Sequence, residues 1–334
     1  MQLAFFIGCV VVGTAVCWVG SEMLEDASRQ LSEYHQLPAA VQGAVVTAIG
    51  SSFPEVSAAV LAPLIHGTFD LGVASVVGSA LFNVLVIPGV SGLVGGRLQS
   101  GRLLVFKDVQ FYVMSIVVLL LTFALATVYH PVPAPRRLGT VTRSLALLPL
   151  AFYGLYLFLQ LVAVQDHDGE APSEDIEPGR EWMRLGGSLL LILAGTEGLL
   201  IAAEGFGQLF DTPPFLWGLT VVAAGTSLPD MFVSVRAAHQ GRGTVSLANV
   251  MGSNVFDLLV AVPMGVLIAG SSIVDFSAAV PMMSILAAGT LVLFVVLRSN
   301  ESLEREEAAG LLLLYAAFLV LVVLETVGLV TFMT

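Results

Sequence analysis

Apolar positions in this chain run together instead of alternating with polar ones. Ten mostly apolar stretches recur from end to end, at roughly 2–24, 37–62, 70–95, 105–129, 143–165, 185–209, 214–236, 244–269, 276–297 and 309–332. Each is long enough, at about 1.5 Å per helical residue, to cross a hydrocarbon core of about 30 Å. The pattern predicts an all-α polytopic membrane protein with ten transmembrane helices. The first stretch, Met1 to Ser21, carries no charge. It lacks the basic start and small-residue cleavage site of a signal peptide, so it is expected to be a retained helix.

Composition agrees. The chain has 334 residues, 57% hydrophobic and 11% charged, with a mean hydropathy of +0.92. Soluble domains carry about 25% charged residues, and disordered chains are poor in apolar ones, so both classes are excluded. The net charge is −12, and no basic patch favours nucleic acid. Cys9 and Cys17 lie in one apolar stretch, about 12 Å apart on a helix, too far for a mutual disulfide.

Basic residues fall unevenly on the two sides of the ten spans. One side holds Arg29, Arg97, Arg102, Lys107, Arg180, Arg184, Arg236, Arg242, Arg298 and Arg305; the other holds Arg136, Arg137 and Arg143. The positive-inside rule then places both termini outside the cell, in a multi-pass protein of the cell membrane. Residues 166–184, with seven acids among prolines and glycines, read as a short cytoplasmic linker. No stretch offers room for a folded soluble domain.

The chain also repeats itself. TAIGSSFPEVSAAV (47–60) matches VAAGTSLPDMFVSV (222–235) at an offset of 175, with Glu22 matching Glu197. GSALFNVL (78–85) matches GSNVFDLL (252–259) at an offset of 174. The expected units are 1–165, with a motif region at 44–90, and 185–334, with its counterpart at 219–265. Five spans per half is an odd number, so the halves are inverted in the membrane. Inverted repeats are a transporter signature, with the site at the midplane where the halves meet.

The repeats place three acids inside spans: Glu55, Asp230 and Asp257, with Asn83 where the third repeat position lacks one. An intramembrane carboxylate is costly and functional by default. Hydroxyls stand at helical spacing from them: Ser51 and Ser52 before Glu55, Thr226 and Ser227 before Asp230, Ser79 before Asn83, and Ser253 before Asp257. Pro54 and Pro229 release the carbonyls of Gly50 and Gly225, and local unwinding is expected there. Carbonyls, carboxylates and hydroxyls form an all-oxygen set suited to hard cations such as Ca²⁺, Mg²⁺ and Na⁺. A lone serine in such a helix is ordinarily a packing residue. Packing alone does not explain acid, proline and hydroxyl recurring together in both halves. A site of charge −2 to −3 is balanced by one divalent ion, several monovalent ions or protons, which is the physical basis of exchange.

GSSFPE with GSALFN, and GTSLPD with GSNVFD, resemble the paired motifs of the sodium/calcium exchangers in the calcium/cation antiporter superfamily. The resemblance covers nearly the whole chain. It implies extrusion of cytoplasmic Ca²⁺ against entering Na⁺ by alternating access, without an enzymatic activity or catalytic cofactor, in a monomeric functional unit. On that resemblance Glu55 and Asp230 are central Ca²⁺ ligands. Ser51, Ser52, Thr226 and Ser227 add ligands for Na⁺ or Ca²⁺. Ser79, Asn83, Ser253 and Asp257 complete flanking Na⁺ sites, and the carbonyls of Ala48 and Ala223 contribute. Ser51, Phe53 and Ala80 depart from the usual pattern, and Asp230 is shorter than Glu55, so coordination is expected to be asymmetric. Spans 1 and 6 are implied to be long helices that slide past the core. K⁺-dependent relatives carry an acid at the position of Asp257.

The alternatives are H⁺/Ca²⁺ or Na⁺/Mg²⁺ exchange on the same fold, a cation channel, or an intramembrane aspartyl protease, whose G-x-G-D motif is absent. Glu197, in the sixth span with Glu204, is expected to be a pairing or cavity-lining group, not an ion ligand, and Glu325 to snorkel from a helix end. His35, His66, His130, His167 and His239 are expected to be solvated loop residues.

Overall fold

A computed structural model describes residues 1–35, 48–100, 107–163, 177–330 and 332. Among these residues ten helices run in the expected order, nine of them long and apolar enough to cross a membrane. They are α1 (Gln2–Tyr34), α2 (Ala48–Ile65), α3 (Phe69–Gly95), α4 (Val109–Tyr129), α5 (Arg143–Ala163), α6 (Pro178–Phe210), α7 (Pro214–His239), α8 (Gly243–Ala269), α9 (Phe276–Asn300) and α10 (Arg305–Thr326). The expected start of the second span and most of the acidic linker, His167 included, lie outside the described residues. Both cysteines are free thiols.

α1 and α6 are 33 residues each, about 50 Å long. α1 outruns its apolar stretch by ten residues. Its polar end is supported at helical spacing, Arg29 pairing with Asp26 at 3.4 Å and Glu33 at 3.7 Å. α6 starts earlier than its apolar stretch, with Pro178 in its first turn and Arg184 paired to Glu181 at 3.0 Å. The two helices pack antiparallel through small residues. A Cβ on Gly13 would lie 2.7 Å from the Gly195 carbonyl, and one on Gly195 would lie 2.7 Å from the Gly13 carbonyl, so only glycine permits this approach.

α3 and α8 form the centre. α3 is buried along almost its whole length and packs against α2, α7, α8, α9 and α10. Gly78 sets its crossing with α7, since a Cβ there would stand 2.2 Å from the Leu219 carbonyl.

Two local features depart from the sequence-based expectation. α2 and α7 run on as helix through Pro54 and Pro229. The widened turns lie elsewhere, at Gly218–Val222 in α7 and Asp257–Ala261 in α8. In α7 the Thr220 hydroxyl donates to the Leu216 carbonyl at 2.8 Å. In α8 Pro263, just beyond the wide turn, has no N–H to continue the regular ladder. Short strands also cap the bundle. β1 (Leu98–Gln99) pairs with β5 (Ser302–Leu303). β3 (Leu138–Thr142) pairs antiparallel with both β2 (Pro131–Val132) and β4 (Ser271–Asp275), with Thr140 opposite Ile273. These segments carry β-branched residues too few to register against ten apolar spans.

Candidate cation site

The three intramembrane acids come from three helices and meet in the core. Glu55 (α2), Asp230 (α7) and Asp257 (α8) are 1%, 2% and 0% exposed. The ten side chains singled out by the repeats are all buried: these acids with Ser51, Ser52, Ser79, Asn83, Thr226, Ser227 and Ser253. Asp257 opens the widened turn of α8, a distortion that often marks functional positions in helices. Ala223 begins the regular helix after the widened turn of α7, and Ala48 is the first residue of α2. The Ala223 carbonyl accepts from the Thr226 hydroxyl at 3.2 Å.

The contacts run both within a repeat and from one repeat to the other. Ser79 donates to Glu55 Oε1 at 2.9 Å and meets Ser227 Oγ at 2.6 Å. Ser51 and Ser253 stand 3.4 Å apart. Glu55 faces Ser79 and Thr226, and Asp230 faces their repeat counterparts, Ser253 and Ser51. Asp230 lacks one methylene, and its two oxygens form no hydrogen bond of ordinary geometry. Ser52 lies near Asp257 in the same way.

Seven buried oxygens have no partner here: Ser52 Oγ, Glu55 Oε2, Asn83 Oδ1, both of Asp230 and both of Asp257. Among the described residues no cation pairs with the three acids. No three His, Cys, Asp or Glu side chains converge tightly enough to hold a metal by themselves among those residues. Any cation held here therefore shares acids with hydroxyls and amides. Unpaired buried charge is strongly unfavourable, so these acids require compensation by protons or by cations from outside.

A cleft of about 220 Å³ leads to this cluster between α1, α2 and α7, lined by Trp18, Ser21, Glu22, Glu25, Ser51, Pro229, Phe232, Val233 and Arg236. Ser51 belongs to both cleft and cluster. Trp18 stacks on Phe232 with ring centres 4.0 Å apart, and its N–H donates to Glu22 at 2.9 Å.

Three groups escaped sequence reasoning. Asn254 donates to the Ala80 carbonyl at 3.1 Å and accepts from Asn83 at 3.0 Å. The repeat offset pairs Asn254 with Ala80, so the signal was there. Tyr112 on α4 is fully buried close to Asp257 and Asn254, and nothing in the repeat marks it. His66 is not a solvated loop residue: its side chain is 8% exposed, wedged between Glu197 at 3.1 Å and Glu204 at 3.0 Å. Pairing is one of the two roles expected of Glu197; the part played by Glu204 was not anticipated. Glu325 does not snorkel either; it is 5% exposed and accepts the Phe332 N–H at 2.9 Å, because the chain folds back over the end of α10.

Ten inverted-repeat helices around a buried, oxygen-rich, acidic cluster define a membrane antiporter of cations. The chain belongs to the sodium/calcium exchanger protein family, whose model matches residues 5–162 and 181–324. It is 26% identical over 271 residues to the inner membrane protein YrbG of Escherichia coli, covering 78% of each chain. Its fold is similar to the sodium/calcium exchanger from Methanococcus jannaschii (TM-score 0.60, 22% identity, 94% of this chain and 97% of that one). It is also similar to an H⁺/Ca²⁺ exchanger, CAX (TM-score 0.71, 14% identity, 94% and 82%).

Proposed function

We propose that this protein exchanges cytoplasmic Ca²⁺ for external Na⁺ by alternating access, with the Glu55–Asp230–Asp257 cluster as the transport site. The observation that carries this reading is the set of seven unpartnered buried oxygens around three uncompensated acids. Ca²⁺ takes six to eight oxygens at about 2.4 Å, and several Na⁺ ions neutralise the same charge, so the two ion sets compete. Glu55 and Asp230 hold Ca²⁺, with Ser51, Ser52, Thr226 and Ser227 beside them. Ser79, Asn83, Ser253 and Asp257 complete Na⁺ positions, with the carbonyls of Ala48 and Ala223.

Access from one face runs along the cleft. Glu25 is close enough to Asp230 for their charges to interact, so negative potential continues from the cleft into the cluster. The positive-inside count makes this the cytoplasmic face, with both termini outside the cell membrane. Loading with either ion set relieves the repulsion among the acids. The empty, fully charged site resists the switch, and that resistance couples the two fluxes.

The test is ⁴⁵Ca²⁺ uptake into Na⁺-loaded proteoliposomes diluted into Na⁺-free or Na⁺-matched buffer. Uptake only under the outward Na⁺ gradient is expected. Uptake driven by a pH gradient instead assigns protons as the counter-ion, and a requirement for K⁺ assigns it to the Asp257 side. Replacing Ca²⁺ by Mg²⁺ separates the remaining exchange reaction. Full Ca²⁺ transport in both Glu55→Gln and Asp230→Asn would falsify the site.

A further inference from the structure

We propose that His66 is a proton-operated latch that ties the long helix α6 to the end of α2 and closes the face of the protein opposite the cleft. His66 follows the last residue of α2. Its Nε2 meets Glu197 Oε1 at 3.1 Å and its Nδ1 meets Glu204 Oε2 at 3.0 Å. Both glutamates lie on α6, two turns apart. The ring thus bridges a helix of the site-bearing core to one of the paired long helices.

The geometry requires a proton. A neutral imidazole has one N–H and one lone pair, so it satisfies only one of two carboxylates and repels the other. The imidazolium donates to both in charge-assisted hydrogen bonds. The carboxylates sit at opposite ring nitrogens, so they clamp the ring and do not converge as metal ligands. They are the charged groups that face it among the described residues. Asp70, four residues further on, is turned to the Asp275 backbone N–H at 3.2 Å. Burial acts to lower the His66 pKa, but the hydrogen bonds to Glu204 and Glu197 outweigh it and hold the ring above its ordinary 6.5. The latch is therefore fully made at acidic pH and is lost as pH rises through that raised value.

Position gives the latch its meaning. The antiparallel contacts of α1 with α6 bring Phe6 against Gly205 and Gly20 against Ile192. Glu204 is therefore level with the start of α1, and the cleft residues Trp18 to Glu25 lie about 20 Å further along. The structure is open at one end and latched at the other. The repeat does not copy the device. Positions matching His66 are Gln240 and Gly241, and Arg29 matches Glu204. Only one face carries it, so protons on that face favour the state in which the cleft is open.

This inference rests on the alternating-access reading, and its test reads conformation directly. Ser21 lines the cleft, and its hydroxyl is buried without a partner. Ser21→Cys in a Cys9→Ala, Cys17→Ala background is reconstituted and labelled with an impermeant maleimide from the bath. Only molecules with the cleft facing the bath react, the bath stays at constant pH, and the lumen is varied. Labelling should slow about threefold or more as lumenal pH rises from about 6 to about 8.5. In His66→Gln the rate should lose that dependence. In Glu204→Gln the midpoint should fall by about half to one pH unit, since one of two stabilising carboxylates is gone. A flat response with His66 present, or an unchanged one in His66→Gln, overturns the latch. If Glu204→Gln leaves the midpoint in place, the latch is likewise overturned. Na⁺-driven Ca²⁺ uptake with pH-independent labelling removes the latch alone. A pH-dependent cleft without that uptake removes the ion assignment and leaves the latch standing.

Discussion

Ser79 closes a 2.9 Å hydrogen bond on Glu55, whereas its repeat counterpart Ser253 faces Asp230 without completing one. The difference is one methylene group. It makes the two halves of the site chemically related but geometrically unequal. The longer acid is partly satisfied by protein, and the shorter one leaves both oxygens for a cation.

This inequality separates charge from reach. Asp230→Asn removes the charge and should reduce Ca²⁺ uptake by about tenfold or more, as should Glu55→Gln. Asp230→Glu keeps the charge and adds the missing methylene, so it should retain measurable exchange with altered ion affinity. Radiolabelled uptake over a range of Ca²⁺ concentrations checks all three. Equal loss in Asp230→Glu and Asp230→Asn would show that the site needs the short reach of the aspartate as much as its charge.

Asp257 lies beside Ser52 at the start of the widened turn of α8. Asp257→Asn should leave Ca²⁺ binding in place while changing the dependence of transport on monovalent ions. Titrating Na⁺ and K⁺ in the uptake assay reads this out. A variant with wild-type Na⁺ and K⁺ curves excludes Asp257 from the monovalent sites.

Asn254 ties the repeats together through Ala80 and Asn83. Asn254→Ala leaves the buried Asn83 amide N–H unpaired and removes the second hydrogen bond on the Ala80 carbonyl, which keeps its partner within the helix, at a cost of about 1–3 kcal/mol. A clear fall in Tm, measured in detergent, is the expected result. An unchanged Tm would mean that water replaces the amide.

Two glycines in spanning helices should respond oppositely to alanine. At Gly78 a Cβ meets the Leu219 carbonyl at 2.2 Å, which only a shift of α3 from α7 relieves. Gly78→Ala should cost at least about 2 kcal/mol or prevent folding. At Gly8 a Cβ has nothing within 4 Å, and alanine should be neutral or stabilising by up to about 1 kcal/mol. Expression and thermal unfolding of the pair distinguish close packing from a general intolerance of alanine.

Asp275 caps α9 through the Ser277 N–H at 2.9 Å and pairs with Arg136 at 3.2 Å. Asp275→Ala should cost about 1–2 kcal/mol through the lost cap. Arg136→Ala should cost about 0.5 kcal/mol or less, because that side chain is 61% exposed and such pairs contribute little. Equal Tm changes would assign the effect to the ion pair.

The sequence by itself determined the ten helices, because bilayer thickness fixes their length and hydrocarbon demands apolar surface. It also marked the candidates for the acidic cluster, because duplication wrote a proline, an acid and hydroxyls at matching positions, Glu55 with Asp230 and Asn83 with Asp257, at a near-constant offset. Helix ends at Tyr34 and Pro178 were less legible, since charged turns held by local ion pairs carry no hydropathy signal. Tertiary structure alone decided which of these side chains meet, with Ser79 reaching Glu55 and Ser253 stopping short of Asp230. It alone brought Tyr112 to Asp257, folded Phe332 onto Glu325, and placed His66 between Glu197 and Glu204. Apart from the contact of Phe332 with Glu325, those pairings join residues distant in the chain. A one-dimensional pattern records each residue's periodicity but not the packing that brings distant residues together.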